Sequence, residues 1–142
     1  MSVSPAPPLL LASTSPQRRA ILEQLGIPFE VATPSYEEHD PIDADAVELV
    51  SGHAAGKARS VAASAGECPV LGVDTAVRLD GRLFGKPMGP EEAEEMLDAL
   101  GGRTHEVVSG LCLVTPGWEV VEHEVTRVSF RELAARDLAA YV

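Results

Sequence analysis

PVLGVDTAVRLDGRLF, residues 69–84, decides how this chain is built. Its first eleven residues alternate as a strand does, so Leu71, Val73, Thr75 and Val77 turn to one face and Val70, Gly72, Asp74 and Ala76 to the other. Asp80 and Gly81 form the dipeptide of a tight hairpin turn, and Leu83 and Phe84 begin a short return strand. Asp74 is the chemically costly residue here. A carboxylate in an apolar strand must be hydrogen-bonded, paired or bound to a cation, and its small neighbours leave room for a metal or substrate. The plainer reading is a structural aspartate satisfied by backbone.

Outward from this strand, elements alternate. Residues 9–12 read as a short buried strand, and Ser15 followed by Pro16 supplies the cap and first residue of a helix running to Gly26. Residues 29–33 suggest a second strand, and PSYEEHDPIDAD, residues 34–45, a loop. Val47, Val50, Ala54, Ala58 and Val61 recur at helical spacing between about 44 and 65, despite Gly52 and Gly56. Downstream, Gly89, Pro90, Glu91 and Glu92 start a helix with Ala93, Met96, Leu97 and Leu100 on one face, stopped by Gly101 and Gly102. Two alternating strands, 105–115 and 119–130, flank a Pro-Gly-Trp turn, and a last helix begins near Ala134. Helices among strands with late hairpins predict an α/β layered domain on a mixed sheet, with no internal boundary in residues 1–142.

Composition bounds the function. The 142 residues are 45% hydrophobic and 23% charged, enough for one core, and no repeat interrupts them. Acidic residues number 22 against 11 basic, a formal charge of -11, which excludes nucleic acid as a general surface partner. The apolar runs are too short to span a bilayer, and the first ten residues lack a signal peptide's basic region and long apolar core, so the sequence reads as cytoplasmic with no membrane partner. Cys68 and Cys112 form no CxxC pair and read as buried reduced thiols.

Against that acidity, LASTSPQRRAIL, residues 11–22, places Arg18 and Arg19 in a helix's first turn, where the dipole is already positive. A strand running through Ser13, Thr14 and Ser15 into a helix N-terminus suits a phosphate, and an anionic ligand would offset the two arginines. The alternative is a plain cap with two solvated side chains. The only lysines, beside nine arginines, are Lys57 and Lys86; Lys57 shares the apolar face of its helix, and Lys86 is held extended before Pro87. Both read as phosphate contacts, with a stem lying over apolar surface as the other possibility. Glu37, Glu38, His39 and Asp40 form an acidic loop with the oxygen ligands Mg²⁺ prefers, although such a run is also an ordinary solvated connection. His53, His105 and His123 lack metal-ligand spacing; His105 reads as a hydrogen-bonded structural residue and Trp118 as packing.

Taken together, LASTSPQRRAILEQLGIPFEV, SYEEHD, GKARSVA, VLGVDTAVRLDGRLFGKP and EEAEEMLDALGGRTHEVVSG resemble, in that order, the Maf family of nucleoside triphosphate pyrophosphatases. The resemblance runs from about Leu9 to Val142. It implies an elongated mixed β-sheet flanked by helices, like that of inosine triphosphate pyrophosphatases, usually in homodimers. It also implies hydrolysis between the α and β phosphates with Mg²⁺ or Mn²⁺. Matched position by position, Asp74 corresponds to the family's proton acceptor, which would activate water or help hold the metal. Ser13, Arg18, Lys57 and Lys86 correspond to phosphate-binding positions, and Glu38 to an acidic site residue that would share the metal.

Two departures stand out. The family branch associated with dTTP and UTP has two arginines directly after Ser-Pro, where this chain has Gln17 and then Arg18; a branch associated with 7-methylguanosine triphosphate has glutamine where this chain has Thr75. Gln17 points away from the first branch and Thr75 toward it, which leaves the base open. Family members also continue several tens of residues past Ala-Ala-Tyr-Val. The expectation is therefore a C-terminally truncated, incomplete domain that exposes strand edge and self-associates as a dimer with reduced activity. The leading expectation is a nucleotide pyrophosphatase, possible house-cleaning of non-standard nucleotides included. The rivals are a non-catalytic nucleotide-binding regulator linked to cell division and a phosphatase of small phosphate esters.

Overall fold

Four apolar residues and a proline-led helix open the structure. In a computed structural model, which describes residues 7–36, 45–84 and 89–134, β1 (Leu9–Ala12) leads into α1 (Pro16–Gln24). Pro16 fits the first turn because its fixed φ suits a helix and its missing N–H was an orphan donor there. Gly26, at φ 71°, turns the chain out toward β2 (Phe29–Ala32). Next, α2 (Ala46–Ala62) is capped by Asp45, whose carboxylate accepts the Glu48 N–H at 3.1 Å. It begins two residues later than the apolar spacing suggests, because the cap residue stays extended.

The central strand β3 (Val70–Leu79) turns through Asp80 and Gly81, both at positive φ, into β4 (Arg82–Phe84). That is the two-residue hairpin the dipeptide predicts. Pro90 and two glutamates start α3 (Pro90–Leu100), and β5 (Thr104–Val114) and β6 (Glu119–Ser129) complete the elements. The sheet has six strands in the order β2-β1-β3-β5-β6, with β4 beside β3 off that path. The first three strands are parallel, and β4 runs antiparallel to β3. Thr75 meets Ser109 and Arg78 meets Glu106, the falling register of an antiparallel β3/β5 pair. The expected mixed sheet with flanking helices is observed; the expected last helix, beyond Ala134, lies outside the described residues.

The described residues divide into two compact units, one drawn from 1–74 with 110–123 and the other from 75–109 with 124–142. In the first, Ala12, Ala54, Ala55, Ala58, Val61, Val70 and Cys112 form the core cluster. Small residues set its geometry. A Cβ on Gly72 would fall onto the Ala54 carbonyl oxygen and stand 2.9 Å from the Ala58 nitrogen; one on Gly110 would stand 2.5 Å from the Val50 carbonyl. The backbone of α2 thus rides directly on β3 and β5. The expectation that small residues beside Asp74 leave room for a ligand is corrected at Gly72, whose missing side chain is replaced by helix.

In the second unit, Arg78 pairs with Glu106 at 3.0 Å and Arg103 with Asp80. His105 is buried and packs edge-on against Phe130 with ring centroids 4.8 Å apart. Its Nδ1 has no hydrogen-bond partner among the described residues, contrary to the hydrogen-bonded role expected from the sequence. Trp118, expected to pack, is 57% exposed, because the tight turn from Thr115 to Trp118 is closed by backbone and hydroxyl bonds and needs no ring. Cys68, expected buried, is only partly so, whereas Cys112 is fully buried; both thiols are free.

Candidate active site

The parallel register brings the chemistry together. Ala12 of β1 stands opposite Gly72 of β3, so Ser13 lies one residue past that rung and Asp74 two. Both residues therefore lie at the carboxyl ends of adjacent parallel strands, with Ser13 level with Val73 and Asp74 one residue further, on the alternate face. The order β2-β1-β3 also reverses direction here: β1 connects through α1 to one side, and β2 returns through α2 to the other. Right-handed crossovers assign those helices to opposite faces, which opens a crevice at the strand ends where ligands of open α/β sheets bind.

The head of α1 lies at the end of β1. Ser13 is 5% exposed, and its hydroxyl accepts the Ser15 N–H at 3.0 Å, fixing the turn before the helix. The Ser15 hydroxyl makes no capping bond and donates instead to the Gln17 side-chain oxygen at 3.1 Å. Ser13, Thr14, Ser15, Pro16, Arg19 and Val31 help line a cleft of about 350 Å³. Arg19 is held at 3.3 Å by Glu23, one turn on, which offsets part of the positive charge the sequence left unexplained. Arg18 is half-buried, has a partner of its own, and does not line this cleft.

A second group of candidate residues lies where α2 packs against β3. Lys57 Nζ reaches Asp74 Oδ1 at 3.2 Å, with side chains only 16% and 15% exposed. Strand alternation aims Asp74 at the helix, and the helical spacing of Lys57 with Ala54, Ala58 and Val61 aims the lysine back. Two residues chosen separately from the sequence therefore meet. Sheltered from water, each charge makes the other tolerable. Thr75, one residue on, turns to the opposite face, is exposed, and lies 3.4 Å from the Ser109 hydroxyl. Lys86 and Glu38 lie outside the described residues.

Sequence reasoning missed a third group. Tyr36 closes the segment after β2: its hydroxyl shares a 3.1 Å hydrogen bond with Nδ1 of the buried His53, and its ring would collide with any Cβ on Gly56. The Ser35 N–H also donates to the Ser60 hydroxyl at 3.1 Å, and that hydroxyl donates to the Lys57 carbonyl at 2.8 Å. The legible signal was Gly56, a residue that costs about 1 kcal/mol in a helix interior and sits there for a reason.

Nearby thiol chemistry is inert. Cys112 is pushed up to about 11, first by burial and then by its hydrogen bond to Glu119. The carboxyl of Glu119 is held below its usual value by the Arg59 guanidinium bonded to it at 2.6 Å. Such a thiol is neutral at neutral pH and is no nucleophile. Among the described residues no group of three or more His, Cys, Asp or Glu side chains converges as a metal cage. The donor set still fits a hard divalent cation, since Mg²⁺ commonly takes one or two carboxylates and completes its shell with substrate phosphates and water. No described helix is long and apolar enough to cross a membrane.

Comparison with known proteins identifies a family. Residues 8–142 match the family described as Maf-like protein. The chain is 46% identical over 139 residues to the dTTP/UTP pyrophosphatase of Nitratidesulfovibrio vulgaris, covering 96% of this chain and 66% of that one. Against the dTTP/UTP pyrophosphatase of Symbiobacterium thermophilum it is 46% identical over 135 residues, covering 94% and 69%. For that of Methylococcus capsulatus the figures are 43% over 134 residues, 94% and 66%. The chain thus spans about two thirds of the length of these curated relatives.

Proposed function

Because the chain belongs to the Maf family, we propose that it is a nucleoside triphosphate pyrophosphatase, a hydrolase of acid anhydrides acting on dTTP and UTP. The observation that carries this reading is the sheltered Lys57–Asp74 pair at 3.2 Å, on the strand that runs parallel to β1. Water attack on a phosphate needs a proton acceptor and cationic contacts for the phosphate charge, and this pair supplies one of each.

In this reading Asp74 accepts the proton of the attacking water, which adds at the α-phosphorus as the bond to the bridging oxygen breaks and pyrophosphate leaves. Lys57, with Lys86, meets the charge on the departing phosphates, and the Ser13 turn and Arg18 hold the rest of the chain in line. A bound Mg²⁺ or Mn²⁺, held by Asp74, Glu38 and the substrate's own oxygens, would supply further neutralisation of phosphate charge. Thr75 and Gln17 are the residues proposed to set base preference, and the names of the relatives favour the pyrimidine branch to which Thr75 points. The proposal extends to a single, incomplete domain of this family over residues 1–142, to a homodimer and to a cytoplasmic setting.

Incubating the protein with a panel of nucleoside triphosphates and assaying both pyrophosphate and orthophosphate tests it. Pyrophosphate from dTTP and UTP is the expected result. Orthophosphate alone would mean a phosphatase, and binding without release would mean a nucleotide-binding regulator.

A further inference from the structure

The region around Tyr36 is built more tightly than a connection between a strand and a helix requires. Its ring lies on the bare backbone of Gly56, at 5.7 Å and 63° from the His53 ring, with the phenol and imidazole hydrogen-bonded at 3.1 Å. One residue earlier, the Ser35 N–H bonds the hydroxyl of Ser60, which holds the Lys57 carbonyl at 2.8 Å. These contacts fall on positions 53, 56 and 60 of α2, bracketing Lys57 on both sides. An alanine at 56 would suit the helix better, so the glycine is there for the ring.

The geometry points to Tyr36 as a positioning residue: seated on Gly56, it fixes the turn of α2 from which Lys57 reaches Asp74. Lysine has a long stem with many rotamers, and its ammonium can be held at one carboxylate oxygen only if the helix turn beneath it does not shift. The Ser60 hydroxyl ties the Lys57 carbonyl to the segment that carries Tyr36, so ring and lysine move as one. This inference rests on the reading of Lys57 and Asp74 as the phosphate and proton-accepting groups, and adds a residue that touches neither substrate nor reacting atoms.

A double-mutant cycle tests it. Tyr36→Leu, Lys57→Ala and the double variant are compared for UTP turnover and for affinity toward a non-hydrolysable UTP analogue, with circular dichroism confirming the fold. Tyr36→Leu alone should lose roughly tenfold to 10²-fold in turnover. In the Lys57→Ala background the same change should add nothing, because the residue it positions is gone. Tyr36→Phe keeps the ring on its seat and should restore most of the loss. Gly56→Ala displaces the ring while favouring the helix, and should reproduce the Tyr36→Leu defect in a folded protein, which covers the case in which Tyr36→Leu fails to fold. Losses that multiply in the double variant, or a Tyr36→Phe protein as impaired as Tyr36→Leu, would overturn the inference. A wild type that binds the analogue without releasing pyrophosphate would overturn the catalytic reading alone, since the cycle is then read on affinity.

Discussion

Strands β3 and β6 are nearly equal in length and both alternate, yet they are opposites in the structure. Along β3, Val70 is fully buried and Gly72, Ala76 and Leu79 nearly so, with α2 pressed against Gly72. Along β6 every residue is exposed except the half-buried Val128, and Val120, Val121 and Val125 stand about 40% open. The difference is position, not pattern. β3 lies in the middle of the order with β1 and β5 beside it, and β6 lies at its end. A charge in β3 must therefore be paired, as Asp74 is, whereas the charges of β6 are solvated where they stand.

The contrast can be broken most sharply at Asp74. Asp74→Asn should lower kcat by about 10²-fold or more while leaving nucleotide affinity largely intact, because it removes the proton acceptor and keeps the cations. Steady-state pyrophosphate release alongside calorimetric binding checks this, and normal turnover would remove Asp74 from the mechanism. Next in size is Gly72→Ala, where the added methyl meets helix backbone that cannot step aside. A loss of about 3 kcal/mol in urea unfolding is expected, the upper end for overpacking. Lys57→Ala should weaken triphosphate binding about tenfold and monophosphate binding less, as removal of a charged hydrogen bond implies. Equal losses for the two ligands would show that Lys57 does not address the outer phosphates.

A smaller effect should appear at the thiols. Cys68, partly exposed, should react with Ellman's reagent in the native protein, and Cys112 only on unfolding. Folding raises the Cys112 thiol to about 11, so its neutral form stabilises the fold fully below the ordinary thiol range. That contribution fades as pH climbs toward 11, and Cys112→Ala should flatten the alkaline fall in stability measured between those limits. Least of all, Val125→Thr on β6 should change stability by less than about 0.5 kcal/mol, as surface changes do. A larger cost would mean that β6 is covered in solution.

Much of this was legible in the residues. The turn at Asp80 and Gly81, the proline-led starts of α1 and α3 and the period of α2 are local signals, and each element formed where its own atoms demanded. Asp74 and Lys57 were legible because a charge on an apolar face is an anomaly in one dimension as much as in three. Tyr36 was not, since nothing in its neighbours says that it lies on a glycine twenty residues away. Trp118 and His105 were misread for a related reason: whether a ring is covered, or an imidazole nitrogen is met, depends on groups distant in sequence.

By itself, then, the sequence determined the order and kind of the elements, the family, and the charges too costly to stand alone, because those follow from short-range sterics, periodicity and desolvation. Only the tertiary structure decided which charges meet. The parallel register of β1 and β3 brings the ends of both strands to one side of the sheet, the close ride of α2 on Gly72 and Gly110 brings Lys57 within 3.2 Å of the Asp74 carboxylate, and the same alternating pattern is buried in β3 and exposed in β6. Burial and pairing are properties of neighbours in space, and the chain acquires those neighbours only when its helices pack onto the sheet.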